Sequence, residues 1–150
     1  MRVIIADTSC LILYDKLGRW DILQQTFEDL RVTEEVAQEF GELPAWIKVE
    51  TMPDRSQYRQ LLNELGAGEA SSIALALSFE SSLLIIDEKR GRKKAQEYDL
   101  DIIGSLGILL KAKQAGVIDA VKPILEQINQ TNFRLSNLIW KEVLREAGES

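Results

Sequence analysis

Two aspartates stand directly after short apolar runs that are typical of buried strands. Asp7 follows the run at residues 3–6 and Asp87 follows the run at residues 83–86, and a predicted helix comes after each. In an open parallel sheet such positions lie at the carboxyl edge, where ligands bind. Two acids held together there repel one another unless a cation or a shared proton intervenes. Either aspartate alone is equally well explained as a helix N-cap, but the pair indicates a metal site.

Two glutamates lie on other predicted helices. Glu39 is on a helix at residues 34–40, beside its apolar side, and Glu69 is in the first turn of a helix that follows Gly66 and Gly68. A glutamate bordering an apolar stripe is usually solvated, and an acid in a first helical turn stabilises the helix dipole. Taken alone, both glutamates therefore have structural explanations.

Five cations fall within six residues, two positions after Asp87. They occupy the first turns of a predicted helix, the end at which positive charge is unfavourable. A solvated helix face is the usual explanation of a charge run, but this position favours phosphate binding. Carboxylates that hold Mg²⁺ or Mn²⁺, beside cations that hold a backbone, are what phosphodiester hydrolysis requires. The five cations are Lys89, Arg90, Arg92, Lys93 and Lys94.

The composition excludes several other chemistries. The 150 residues contain no histidine, so a Ser-His-Asp triad, a Cys-His pair and a histidine-ligated zinc are excluded. The single cysteine, Cys10, excludes an intrachain disulfide and predicts a reducing cytoplasm. The net charge of −6 argues against a sequence-blind DNA coat protein. However, residues 1–88 carry 7 basic and 16 acidic groups and residues 89–150 carry 11 and 8, so one basic region can attract phosphate locally.

Strands and helices alternate along the chain and must position these residues. This alternation predicts one α/β domain with a parallel sheet and helices on both faces. No uncharged apolar stretch reaches the ~18 residues of a membrane span, and no signal-peptide core is present, so we expect a cytoplasmic protein. Strands are predicted at residues 3–6, 30–32, 83–86 and 101–103, with an edge-strand candidate at 47–50. Helices are predicted at about 10–16, 19–27, 34–40, 57–65, 69–79, 88–98, 106–115, 119–129 and 136–146.

Five short motifs occur in a fixed order along the chain. They are Ile5-Ala6-Asp7-Thr8-Ser9, Glu35-Val36-Ala37-Gln38-Glu39-Phe40, Gly68-Glu69-Ala70, Leu84-Ile85-Ile86-Asp87 and Ile103-Gly104-Ser105-Leu106-Gly107. The ordered set resembles the PIN-domain family, which includes the VapC-like toxins of toxin–antitoxin pairs, over roughly residues 2–145. It is most similar to a prokaryotic branch of predicted nucleic-acid-binding proteins.

The resemblance implies an α/β/α sandwich with a parallel sheet, in a single PIN-like domain over residues 1–150 with a helical C-terminal extension at about 119–147. It also implies a Mg²⁺- or Mn²⁺-dependent ribonuclease site. Many family toxins have aspartate where Glu69 stands, so this chain departs from the family pattern by a longer side chain at that position. The implied metal ligands and catalytic residues are Asp7, Glu39, Glu69 and Asp87. The implied supporting residues are Thr8, Ser9 and Glu88, the last as an acid that competes with Asp87.

We therefore expect a metal-dependent endoribonuclease, as a toxin or toxin-like protein whose basic cluster positions RNA. The resemblance also implies a homodimer and an antitoxin partner. The apolar side chains of the last helix serve either dimer contact or core cover. The alternative is a non-catalytic PIN-like module that binds nucleic acid or a protein. A phosphoryl-accepting receiver domain is disfavoured, since Thr8 and Ser9, not a second acid, follow Asp7.

Overall fold

The computed structural model describes residues 2–150, in which five strands and nine helices alternate. The strands are β1 (Val3–Ala6), β2 (Leu30–Thr33), β3 (Lys48–Glu50), β4 (Ser82–Ile85) and β5 (Asp101–Ile103). The helices are α1 (Thr8–Leu17), α2 (Trp20–Thr26), α3 (Glu34–Phe40), α4 (Ser56–Leu61), α5 (Ala67–Leu77), α6 (Lys89–Glu97), α7 (Ser105–Gln114), α8 (Lys122–Asn129) and α9 (Asn137–Glu146). The predicted elements are all present, and their ends differ from the predictions by a few residues.

Local chemistry explains where several helices begin. The Val36 N–H donates to Thr33 Oγ1 at 3.1 Å, so Thr33 caps α3. Ser136 caps α9 in the same way. Helix α8 begins three residues later than predicted, and Pro123 stands in its first turn, where a missing N–H costs nothing.

The sheet has the order β3-β2-β1-β4-β5, and all neighbouring strands are parallel. The chain leaves β1 toward β2 on one side and returns to β4 on the other, so β1 and β4 flank the point at which the strand order reverses. Ala6 of β1 is in register with Ile85 of β4, and the Asp7 N–H donates to the Ile85 carbonyl at 3.0 Å. Ligands of open α/β sheets bind outside the carboxyl ends of strands at such a reversal.

The residues form two compact units. One unit comprises the chain up to Ile12 together with Asp29–Gly104, and it contains the whole sheet. Helix α5 packs against β1, β2 and β4. Its small side chains, Ala70 among them, are buried beside Ile5 and Leu84. Full burial of each large aliphatic side chain contributes about 1.5–3 kcal/mol, which makes this helix–sheet contact a main source of the unit's stability.

The second unit comprises Leu13–Glu28 and Ser105–Ser150. Helix α7 packs against α2 and α9, and the Tyr14 hydroxyl donates to the Ser105 carbonyl at 2.9 Å. On α9, Leu144 is buried, whereas Leu138 is 77% exposed. The last helix therefore covers a core with one part of its apolar face and leaves another part uncovered.

The predicted fold class is confirmed: an α/β protein with an all-parallel sheet flanked by helices, consistent with a three-layer α/β/α sandwich. None of the helices within residues 2–150 is long and apolar enough to span a membrane. The expectation of a single domain with a C-terminal extension at about 119–147 stays a prediction.

Candidate active site

A groove of about 300 Å³ lies at the carboxyl edge of the sheet, within the sheet-bearing unit. Five elements meet at this groove, because β1 and α3 end there and α1, α5 and α6 begin there. Four acids line this acidic groove: Asp7, Glu39, Glu69 and Glu88. Thr8 and Ser9 line it as well.

Asp7 is the most buried of the groove acids, with 5% of its surface exposed. Burial raises the pKa of Asp7 from 3.8 to about 6, and the nearby carboxyls of Glu39, Asp87 and Glu88 add to the rise. The Thr8 N–H opposes it by donating to Asp7 Oδ1 at 2.8 Å. The hydrogen bond from the Thr8 N–H is thus outweighed by burial and by the neighbouring carboxyls. The negative charge of Asp7 is therefore poorly compensated.

Glu39 reaches the groove from the last turn of α3, where its side chain is exposed. The Thr8 hydroxyl donates to Glu39 Oε1 at 2.9 Å, which links this carboxyl to the end of β1. At the other end of α3, the capping residue Thr33 is buried, and its hydroxyl hydrogen-bonds to Ser71 of α5 at 2.7 Å. This buried contact fixes α3 against α5 and therefore fixes Glu39 relative to Glu69.

Glu69 lies in the first turn of α5 and pairs with Glu88, the N-cap of α6. Burial, together with the neighbouring Glu88 and Asp7 carboxyls, raises the pKa of Glu69 from 4.5 to about 7. The pKa of Glu88 is lowered, chiefly by its contact with Glu69. Glu69 Oε2 is buried and accepts no hydrogen bond within residues 2–150. The opposite directions of the two pKa values are those expected of two carboxyls that compete for one proton.

Two glycines leave the space in which these acids meet. A Cβ on Gly68 would overlap Glu39 Oε1 and would lie 3.2 Å from both Asp7 Oδ1 and Thr8 Oγ1. A Cβ on Gly91 would lie 2.9 Å from Glu69 Oε2. Sequence reasoning placed Gly68 before the helix that carries Glu69, whereas it lies within α5, and it did not assign Gly91 any role. The available signal was a glycine next to a candidate ligand on the same helix.

Asp87 lies beside the acidic groove and is not among the residues that line it. The Ser9 hydroxyl donates to Asp87 Oδ2 at 3.3 Å. A Cβ on Gly104 would lie 3.1 Å from both Asp87 Oδ1 and Arg92 Nη1, so these two groups lie over the same glycine. Asp87 is still close enough to Asp7 to raise its pKa. The structure thus brings Asp7, Glu39 and Glu69 together, with Glu88 on the groove and Asp87 at its side.

The five predicted nucleic-acid-binding cations all belong to α6 or its first turn, but they point in different directions. Arg92 donates to the Ile86 carbonyl at 2.9 Å, and Arg90 donates to the Glu64 carbonyl at 2.7 Å. Lys94 forms ion pairs with Glu64 and Glu97. Sequence reasoning found the charge run but had no means of telling its inward members from its outward ones.

The acidic groove offers ligands that suit a hard divalent cation. The atoms that could bind a metal ion here are carboxylate oxygens. One of them, the buried Glu69 Oε2, accepts no hydrogen bond within residues 2–150. Within residues 2–150, no group of three or more His, Cys, Asp or Glu is already gathered as a metal cage. Mg²⁺ usually binds through one or two carboxylates and keeps several waters, so it does not need such a cage. The residues therefore fit a divalent ion.

An all-parallel α/β fold with acids gathered where the strand order reverses has its candidate site at the edge where such folds bind ligands. A family model described as a PIN domain, DUF3368, matches residues 3–149. The chain therefore belongs to the PIN-domain family, as its motifs predict. No curated protein and no solved structure matches the chain. PIN domains are generally nucleases that use divalent metal ions. The roles of the individual site residues stay predictions.

Proposed function

We propose that this PIN domain is an endoribonuclease that hydrolyses RNA phosphodiesters with Mg²⁺ or Mn²⁺. The observation that carries the proposal is the acidic groove: buried carboxyls with raised pKa values converge where β1 and β4 end. Holding like charges together destabilises the fold unless a cation joins them. A divalent cation is also what a phosphodiester needs beside its scissile phosphorus.

The cation would be held by Asp7, Glu39, Glu69 and Asp87, the four acids that the family resemblance assigns. When bound, it supplies a more acidic water and neutralises charge that builds on the phosphate. Thr8 supports the site by donating its N–H to Asp7 and its hydroxyl to Glu39. Ser9 donates to Asp87.

The proton of the attacking water must pass to a carboxylate, because the chain has no histidine. We assign this role to Glu69, whose buried Oε2 accepts no hydrogen bond within residues 2–150. The basic cluster of α6 would hold the RNA backbone beside the groove. The toxin role, with a homodimer and an antitoxin partner, rests on the family resemblance alone.

Calorimetric titration with Mn²⁺ and an RNA cleavage assay test the proposal together. We expect the wild type to bind Mn²⁺ and cleave RNA, and Asp7→Asn combined with Asp87→Asn to lose both. Glu142→Gln combined with Glu146→Gln is the matched control, since it removes two exposed carboxylates of the other unit. Cleavage that survives Asp7→Asn at wild-type rate would contradict the assignment.

One observation favours the non-catalytic alternative: residues 1–88 carry 7 basic and 16 acidic groups, which weakens RNA attraction outside the basic cluster. That alternative predicts RNA binding without Mn²⁺ binding and without cleavage. The same titration therefore separates the two functions.

A further inference from the structure

Two adjacent serines of α5 are completely buried, although serine is mostly exposed in proteins. Ser71 and Ser72 have no exposed surface, and both hydroxyls donate to the Gly68 carbonyl, at 3.0 and 2.7 Å. Gly68 is the residue beside which Glu39 Oε1 and Asp7 Oδ1 converge. Because a carbonyl inside a helix already accepts a backbone N–H, two further donors are more than the helix needs.

The Ser71 hydroxyl has a further partner outside its own helix. Ser71 Oγ lies 2.7 Å from Thr33 Oγ1, and Thr33 Oγ1 accepts the Val36 N–H at 3.1 Å. A hydroxyl has one proton to donate, and that of Ser71 is directed to the Gly68 carbonyl. Thr33 must therefore donate its own proton to Ser71. The result is a hydroxyl chain with one direction, from the Val36 N–H through Thr33 and Ser71 to the Gly68 carbonyl.

Helix α3, which carries Glu39, depends on such contacts for its position. It is seven residues long and has Val36 as its buried residue. A helix this short takes its stability from contacts with the rest of the protein. Its N-cap contacts α5 at Ser71, and its last turn brings Glu39 Oε1 against Gly68, which lies one turn away on the same face of α5. A displacement at the first contact therefore moves the second.

We propose that Ser71 is a positioning residue for metal binding, which acts through Thr33 to hold α3 so that the Glu39 carboxylate lies among the groove acids. Ser71 is not among the residues that line the acidic groove, so it acts without touching the cation or the substrate. Ser72 donates to the same carbonyl but serves α5 alone. The inference rests on the proposed function, because Glu39 is one of the four acids to which that function assigns the cation.

Ser71→Ala and Ser72→Ala form a matched pair, since each removes one buried hydroxyl that donates to the Gly68 carbonyl. In calorimetry, Ser71→Ala should bind Mn²⁺ about tenfold more weakly than the wild type, because the support of a metal ligand is lost. It should also lower kcat for RNA cleavage with little change in KM. Ser72→Ala should retain the wild-type values. Thr33→Ser keeps the hydroxyl of the chain and should retain them too.

Amide hydrogen exchange in the metal-free protein tests the link to α3 without any metal. The amides of α3 should exchange faster in Ser71→Ala than in the wild type, and at the wild-type rate in Ser72→Ala. Thermal melts of both variants define a temperature at which each is folded, and the exchange is measured there.

Equal losses of Mn²⁺ affinity in the two serine variants would show that any buried hydroxyl of α5 has this effect, and would overturn the inference. Exchange of the α3 amides at the wild-type rate in Ser71→Ala would overturn it too. Wild-type Mn²⁺ affinity in Ser71→Ala would contradict the positioning role alone. A wild type that binds no Mn²⁺ would instead contradict the proposed function, and with it the role of Glu39.

Discussion

The acidic groove and the C-terminal Glu149 place carboxylates in opposite surroundings. Glu149 accepts hydrogen bonds from the N–H groups of Val121 and Lys122 and from Lys113 Nζ, at 2.8–3.0 Å. Although burial acts in the other direction, these donors hold the pKa of Glu149 below its ordinary value. Asp7 has a single backbone donor among several acids, and its pKa rises to about 6. A carboxylate surrounded by hydrogen-bond donors stabilises the fold. A carboxylate surrounded by other acids destabilises it until a cation binds.

The same contrast occurs within the sheet-bearing unit. Arg31 lies between Asp29 and Glu50, at 2.8 and 2.9 Å, and the hydrogen bond from Arg31 is the main cause that lowers the pKa of Asp29. Asp29 directly precedes β2, Arg31 lies on β2 and Glu50 on β3, and their charges compensate one another. Asp7 and Glu69, whose pKa values are raised, both lie on the groove, which argues that their arrangement is not a general property of this acidic chain.

The largest loss of RNA cleavage is expected from a substitution that adds a side chain inside the groove and leaves every acid in place. Gly68→Ala places a methyl group where Glu39 Oε1 and Asp7 Oδ1 converge. Displacing ligands by about 1 Å should reduce RNA cleavage about 100-fold. Gly66→Ala is the control from the same turn, because its nearest neighbour would be Glu69 Oε1 at an ordinary 3.8 Å. Mn²⁺ calorimetry should show the same contrast, and equal activity of the two variants would mean that the groove is not the site.

The next effect concerns the stability of the metal-free protein. The folded-state pKa of Asp7, about 6, lies above its ordinary 3.8, so ionisation costs stability as the pH rises from about 4 to above 6. Asp7→Asn removes that cost and should raise the free energy of unfolding at pH 7 by up to about 3 kcal/mol. The gain should vanish below about pH 4, where the wild-type carboxyl is protonated.

Urea unfolding at several pH values, with EDTA present, measures this difference. Saturating Mn²⁺ should reverse the order, since it stabilises only a protein that binds it. A variant that is no more stable than the wild type at pH 7 would show that the groove acids are already compensated.

Glu149→Gln should change the free energy of unfolding by less than Asp7→Asn does, and in the opposite direction. It weakens charge-assisted hydrogen bonds at the start of α8, which should lower the free energy of unfolding by about 1–2 kcal/mol at pH 7. Because the folded-state pKa is depressed, this stability is present above the ordinary pKa of 4.5 and is lost as the pH falls through the folded-state value. Thermal melts at pH 7 and pH 3 test it, and RNA cleavage should be unchanged. A loss of the same size at both pH values would exclude the charge as its cause.

The sequence predicted the sheet and the strand-end acids because both follow from local patterns. Apolar runs ending in Asp7 and Asp87 define buried strands and their carboxyl edge. What the patterns do not contain is side-chain direction across elements. Whether Arg90 turns to the Glu64 carbonyl depends on how α6 packs, and whether Gly68 faces Glu39 depends on the contact between α3 and α5. These relations arise only in three dimensions.

The smallest expected effect is a change in the pKa of Glu69 when Glu88 is replaced. It tests whether neighbouring acids, and not burial alone, raise the pKa values in the groove. Glu88→Asn keeps a good N-cap for α6 but removes its charge, so the raised pKa of Glu69 should fall toward 4.5. NMR titration of the Glu69 carboxyl in metal-free protein measures this. Glu88→Asp is the control, because it keeps both the cap and the charge and should leave the pKa of Glu69 raised. If Glu69 titrates near 7 in both variants, burial alone sets its pKa, and Glu88 serves only as a helix cap.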